Sequence, residues 1–185
     1  MEKYTHIRAA HIRIITHRWT RYDVDGEPHP HSFLRDGTET HNVEVSVREG
    51  SGVSIRSGIQ GLSVLKSTGS AFHGFYRDEF TTLKETWDRI LSTDVDANWD
   101  WRRFTGLEDI KKDLHRFEQA WENARNITLK TFALDDSASV QATMYKMAEQ
   151  ILAVTPEVIH VEYSLPNKHF FEIGKLSLHY RFYNV

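Results

Sequence analysis

The chain has 185 residues, a formal net charge of −3, 39% hydrophobic residues and 12% aromatic residues. That length fits one large domain, or one and a half small ones, with enough apolar surface for a sizeable core. The near-neutral balance argues against a general nucleic-acid binder, no apolar run approaches a helical membrane span, and no secretory signal is read at the start.

There are no cysteines, which excludes disulfides, thiolate metal sites and a cysteine nucleophile. Residues 4–20, "YTHIRAAHIRIITHRWT", read as a long strand rich in β-branched residues. "DVDGEPHPHSF" follows, and its glycine and two prolines read as a loop. Val43, Val45 and Val47 alternate with polar residues, the mark of a half-buried strand. Residues 50–61 hold four glycines and suggest a turn or boundary. Strands are expected again at 62–66 and within 89–101.

The period then changes. Phe117, Ala120, Trp121, Ala124, Thr128 and Phe132 share one helical face. "DDS" at 135–137 offers capping residues, and a second helix carries Val140, Met144, Met147, Ala148, Ile151 and Leu152 on one stripe until Pro156 ends it. Strands return at 158–164 and 169–182. From about residue 60 the order is two strands, two helices, two strands, which specifies an α+β fold with helices on one face of an antiparallel sheet. Residues 4–48 read as a further strand pair. If the unit repeats, the chain begins inside its first copy.

Four stretches carry chemistry. "STGSAFHGFYRDEFTTL" gathers Phe72, Phe75 and Phe80 among small and polar residues, and an aromatic face can stack on a planar ring. Arg89 offers a rigid fork of donors, although Asp88 and Glu85 are near enough in sequence to occupy it. Gln141 falls in the first turn of a helix, where free N–H groups favour an anion. In "YSLPNKHFF", Pro166 interrupts a strand-like run, and Asn167 and His169 then point to one face if the chain is extended. There an amide can hold a small polar molecule and an imidazole can carry protons. Taken singly, each stretch also fits an ordinary core aromatic, surface charge, first-turn residue or buried histidine. His29 and His31 share a face, but no third ligand stands at a metal-binding spacing from them, so no metal site is expected.

Together, "HRWTRYDVDGEPHPHSF", "VLKSTGSAFHGFYRDEFTTLKETWDRILSTDVDANW", "SASVQATMYKMAEQIL" and "EYSLPNKHFFEI" resemble the motifs of the urate oxidase (uricase) family in order and spacing, over roughly residues 3–173. The resemblance implies a tunnelling fold (T-fold), an antiparallel four-stranded sheet with two helices on its concave side. Residues 1–56 would be the closing strand pair of a first unit, and 57–185 a second, complete unit. The family oxidises urate with O2 and water to 5-hydroxyisourate and hydrogen peroxide, is homotetrameric, and uses no metal or organic cofactor. Phe72 then matches the residue that stacks on the purine. Arg89 and Gln141 match the pair that grips its carbonyl oxygens and ring nitrogens, Leu83 and Val140 line the pocket, Asn167 holds O2 or water, and His169 belongs to the proton relay.

The family's N-terminal portion, with a relay lysine and a Thr-Asp pair that enters from a neighbouring subunit, has no counterpart in these residues. Beyond Ile173, "GKLSLHYRFYNV" departs from the family pattern. The resemblance points to the peroxisome, although the last residues are not a tripeptide of the SKL type. Reduced urate turnover is expected of such a chain. The alternative is a non-catalytic T-fold module that binds a purine-like ring or only oligomerises. The exposed edges of a half sheet predict self-association.

Overall fold

A computed structural model describes Tyr4 and residues 6–168; the expected strand at 169–182 and His169 lie outside the described residues. The strands are β1 (Ala9–Val24), β2 (Glu27–Arg48), β3 (Gly52–Lys66), β4 (Leu91–Trp101), β5 (Val158–Ser164) and β6 (Asn167–Lys168), and the helices are α1 (Leu107–Lys112), α2 (Leu114–Leu134) and α3 (Val140–Val154). The described strands form one antiparallel sheet in the order β1-β2-β3-β4-β5, with β6 also paired to β4.

Sequence periodicity locates most of this. Val43, Val45 and Val47 of β2 lie opposite Ser57, Ile55 and Val53 of β3, so their alternation sets one face of the sheet toward the core. That face carries Val53, Ile55, Ile59, Val95, Trp99 and Trp101, and α2 packs on it through Ala120 and Ala124. The two alanines let the helix approach closely. One turn on, the Thr128 hydroxyl donates to the Ala124 carbonyl at 2.7 Å and meets the Tyr163 hydroxyl of β5 at 2.6 Å. A second cluster joins Leu91 of β4, Phe132 of α2 and Met147 of α3, with Val140 beside them.

Three local expectations are corrected. The segment after Asp23 is not a loop: Asp25 and Gly26 take φ of 54° and 88°, the pattern of a two-residue hairpin turn, and β2 runs straight through Pro28 and Pro30. β2 pairs with β3 only from Thr40 onward, so its first half is an edge, where a proline removes no ladder bond.

The turn expected within 50–61 is confined to its start, at 49–51 with Gly50 at φ 72°, and the later glycines do not end the next strand. β3 runs unbroken to Lys66 and absorbs Gly61, at φ 70°, as a bulge opposite β4; the expected division after residue 56 falls inside this strand. Finally, α3 is capped by Ser139, which accepts the Ala142 N–H, and not by residues 135–137. Asp135 instead closes α2.

Pro166 has a clear consequence. Asp96 pairs with Ser164 and Thr93 with Asn167, the same spacing on both strands, so the register continues across Leu165 and Pro166. Val161, Tyr163 and Leu165 pack into the core, and strand alternation puts Asn167 on that same helix-covered face.

Candidate functional site

Residues 67–90, between β3 and β4, fold back on themselves. Phe72 N–H donates to the Thr86 carbonyl at 2.7 Å and Thr86 N–H returns to the Phe72 carbonyl at 2.9 Å. The doubling brings Arg89 over Phe72, with the guanidinium carbon 5.4 Å from the ring centroid, within cation–π range. Phe75 stacks on the same ring at 4.4 Å and 17°. One face of the Phe72 ring is thus backed by an aromatic, and a planar cation projects over the ring.

The sequence offered Asp88 and Glu85 as ion-pair partners for Arg89, but both carboxylates are engaged elsewhere. Asp88 accepts the Thr68 hydroxyl at 2.7 Å and the Gly69 N–H at 2.9 Å, and Glu85 accepts the Gly74 N–H at 2.9 Å. The Thr68 hydrogen bond above all, with N–H groups of Gly69, Ser70 and Arg89, holds the Asp88 carboxyl below the usual carboxylate range. Arg89 forms no ion pair among the described residues, and its Nε is buried without an acceptor.

The same segment is fastened to α3. Ala71 N–H donates to the Ser137 carbonyl at 2.8 Å, and Ser70 bridges Ser137. Ser137 takes a hydrogen bond from Thr143 and gives one to the Ser139 carbonyl, so the first turn of α3 is set against the 70–72 backbone. Val140 from that turn packs beside Leu91, and Gln141, next to it, is exposed. On the other side of β4, Asn167 pairs with Thr93, and its side-chain Oδ1 is buried without a partner among the described residues. The Ser70 hydroxyl is a third buried polar atom here in that condition. Buried polar groups are ordinarily hydrogen-bonded, and Arg89, Ser70 and Asn167 stand on segments that meet at the start of β4.

The structure therefore brings Phe72 and Arg89 into direct contact and places Val140, Gln141 and Asn167 at the same end of β4. Leu83 is not brought in: it is 60% exposed and joins no hydrophobic cluster among the described residues. The Asp88 and Glu85 fastenings went unread in the sequence. The signal for Asp88 was the Thr68-Gly69 turn nearby, with Gly69 at φ 71°.

The larger concavities lie elsewhere. One cleft, of about 800 Å³, separates β1 and β2 from the flank of α2 and includes Arg18, Glu39, His41, Trp121 and Arg125. Glu39, only 4% exposed, is answered there by Arg125 Nε and Nη2, both at 2.9 Å. His41 stacks on Trp121 at 5.1 Å, and burial pushes its pKa below the ordinary histidine value. None of the residues predicted for the site lines this cleft.

Known proteins match most of the chain. The Uricase family model covers residues 1–46 and 55–180. The chain is 64% identical over 179 residues to the uricase of Aspergillus flavus, covering 97% of this chain and 59% of that protein. Against the uricase of Schizosaccharomyces pombe it is 47% identical, covering 94% of this chain and 58% of the relative. The crystal structure of the uricase from Arthrobacter globiformis superposes with a TM-score of 0.79 at 36% identity, over 96% of this chain and 57% of that one. The antiparallel sheet with helices on one face is thus the T-fold architecture of these neighbours. The chain spans about three fifths of the length of the curated relatives it matches. On the extent of the family match and the identity to its curated members, the chain belongs to the uricase family.

Proposed function

We propose that this chain supplies the purine-gripping part of a urate oxidase. One observation carries the reading: the Arg89 guanidinium stands 5.4 Å over the Phe72 ring while its Nε is buried without an acceptor. A flat, anionic heterocycle stacked on Phe72 would meet that donor edge-on. Stacking is worth about 0.5–1.5 kcal/mol beyond burial, and a charge-assisted hydrogen bond roughly 1.5–3 kcal/mol. Gln141 would add a donor and an acceptor from the first turn of α3, with the Val140 backbone beside it, and Leu83 would line the pocket once further chain covers it.

The reaction asks little else of the protein. Urate, O2 and water become 5-hydroxyisourate and hydrogen peroxide: urate gives up two electrons, O2 takes them up with two protons, and water supplies the new hydroxyl. Urate is itself the electron donor, so the tasks left are holding it flat, removing a proton and placing the small reactant above the ring. Asn167 is assigned the small reactant. His169, outside the described residues, is assigned the proton. The family's lysine and Thr-Asp pair would come from chain not contained in these residues, so turnover belongs to an assembly that supplies them. β1 is exposed along its whole length, and this unpaired edge supports self-association.

The test is calorimetric titration of the chain with urate under nitrogen, followed by admission of O2 and measurement of peroxide. The unmodified chain should bind urate, and Arg89→Ala should weaken binding by roughly 10- to 100-fold, as expected for one charged hydrogen bond. An Arg89→Ala chain that binds urate as the unmodified one does would overturn the reading. Binding lost in Arg89→Ala, with no peroxide from the unmodified chain, would favour a non-catalytic module instead.

A further inference from the structure

We propose that Asp88 is a positioning residue for urate binding: its carboxylate, seated on the turn at Thr68 and Gly69, holds Arg89 and Phe72 in register with each other. The inference rests on the reading of Arg89 and Phe72 given above.

The geometry is specific. One Asp88 oxygen takes the Thr68 hydroxyl at 2.7 Å and the other takes the Gly69 N–H at 2.9 Å, and the N–H groups of Ser70 and Arg89 add to the same carboxylate. A single side chain therefore ties the segment that leads into Phe72 to the segment that carries Arg89. Gly69 at φ 71° turns its N–H into this seat, and a side chain at that position would be strained and would come within 3.1 Å of Lys66 Cε.

From the turn, the tie continues through Ala71 to Ser137 and so to the α3 turn with Val140 and Gln141. Phe72, Arg89, Val140 and Gln141, all assigned to the purine, share this one anchor. Asp88 is adjacent to Arg89, yet its carboxylate is taken by Thr68 and Gly69 and, among the described residues, forms no ion pair with the guanidinium, which leaves those donors for a ligand. An aspartate paired with Arg89 would instead compete with an anionic ring. Phe72 and Thr86 exchange backbone hydrogen bonds, but that pair does not fix the chain as far as Arg89, and Asp88 closes the interval.

The experiment is anaerobic urate titration of the full chain and of Asp88→Ala, Asp88→Asn, Thr68→Val, Arg89→Gln and the double variant Asp88→Ala/Arg89→Gln, with far-UV circular dichroism and melting on each. Asp88→Ala should weaken urate binding by at least about tenfold, and Asp88→Asn, which keeps an acceptor for Thr68, by roughly threefold. The decisive reading is the coupling. If Asp88 acts through Arg89, Asp88→Ala costs less than about twofold in the Arg89→Gln chain.

The same factor lost in both backgrounds means a general structural role and overturns the proposal. Asp88→Ala binding like the unmodified chain while Arg89→Gln is weak overturns it too, and leaves the urate reading standing. No urate binding by the unmodified chain overturns both. If Asp88→Ala does not fold, Thr68→Val carries the test, because it keeps the charge and removes only the seat. It should weaken binding, and should do so only while Arg89 is present.

Discussion

Replacing Gly58 with alanine probes the centre of the sheet that carries the site. Gly58 lies in β3 between Asn42 of β2 and Asn98 of β4, and Asn42 Nδ2 donates to Asn98 Oδ1 at 3.4 Å. A methyl group at 58 would stand 2.3 Å from Asn98 Oδ1, 2.4 Å from Asn42 Oδ1 and 2.7 Å from the Ala97 carbonyl oxygen. The two amides can swing aside, but the carbonyl moves only if the ladder opens. Asn42 is 4% exposed, so its displaced amide has little access to water.

Overpacking costs about 1–3 kcal/mol and a stranded buried amide roughly 1–3 kcal/mol. The two overlap, because one displacement causes both, and the expected loss is about 2–4 kcal/mol. In a chain of this size each kcal/mol moves the melting midpoint by roughly 2–4 °C, so Gly58→Ala should melt about 4–16 °C lower. Far-UV circular dichroism during thermal and urea unfolding gives the answer, with an unchanged m-value confirming that stability alone has shifted. Adding Asn98→Ala removes the nearest obstacle, so the double variant should be more stable than the sum of the two single losses implies. A loss under about 0.5 kcal/mol for Gly58→Ala, the size of an ordinary surface change, would refute the reasoning.

Two further expectations concern pH. Arg102 donates to both carboxylate oxygens of Asp109, at 2.9 and 3.1 Å, and foremost by these bonds holds that carboxyl far below the usual range. A depressed carboxyl stabilises the fold above the unfolded value, near about 3.9, and that contribution is lost as pH falls toward the folded value; Asp109→Asn should therefore flatten the loss of stability below about pH 4, and denaturation midpoints that fall as steeply as in the unmodified chain would contradict this. At the alkaline end, burial pushes the Tyr163 hydroxyl up to about 12 from 10.0, so the unfolded chain ionises first and stability should fall between these values. Tyr163→Phe should remove that fall and shift one tyrosine out of the ultraviolet titration above pH 11 or so.

Sequence patterns disclosed the elements that bury a regular face. The alternating valines of β2 and the alanine-spaced face of α2 needed no partner to be read, because strand and helix periods are local. The errors lie where a distant neighbour decides. Pro28 and Pro30 fit within β2 because that half pairs with β1 alone and β3 does not reach its other side. The glycines of β3 are in the strand because Gly61 makes a bulge opposite β4 and Gly58 makes room for two asparagines. Ser139, not residues 135–137, caps α3 because Asp135 is occupied with Thr143 and Lys146. In the candidate site, Phe72, Arg89, Gln141 and Asn167 were identified by resemblance. Their side-chain types alone permitted commoner explanations, and the ion pair that would have explained Arg89 away depended on where Asp88 points.

The segment from 67 to 90 is secured largely by polar fastenings at Thr68, Glu85, Thr86, Asp88 and Ser137, and its aromatic and aliphatic side chains at Tyr76, Phe80, Leu83 and Trp87 are mostly in solvent. Under the proposed function, the residues that would grip a ring are consequently separate from those that keep the chain folded. On that reading, changes in this tongue should retune affinity at nearly constant thermal tolerance, and changes in the sheet should do the reverse. Such a division leaves ligand preference open to drift without endangering the architecture beneath it.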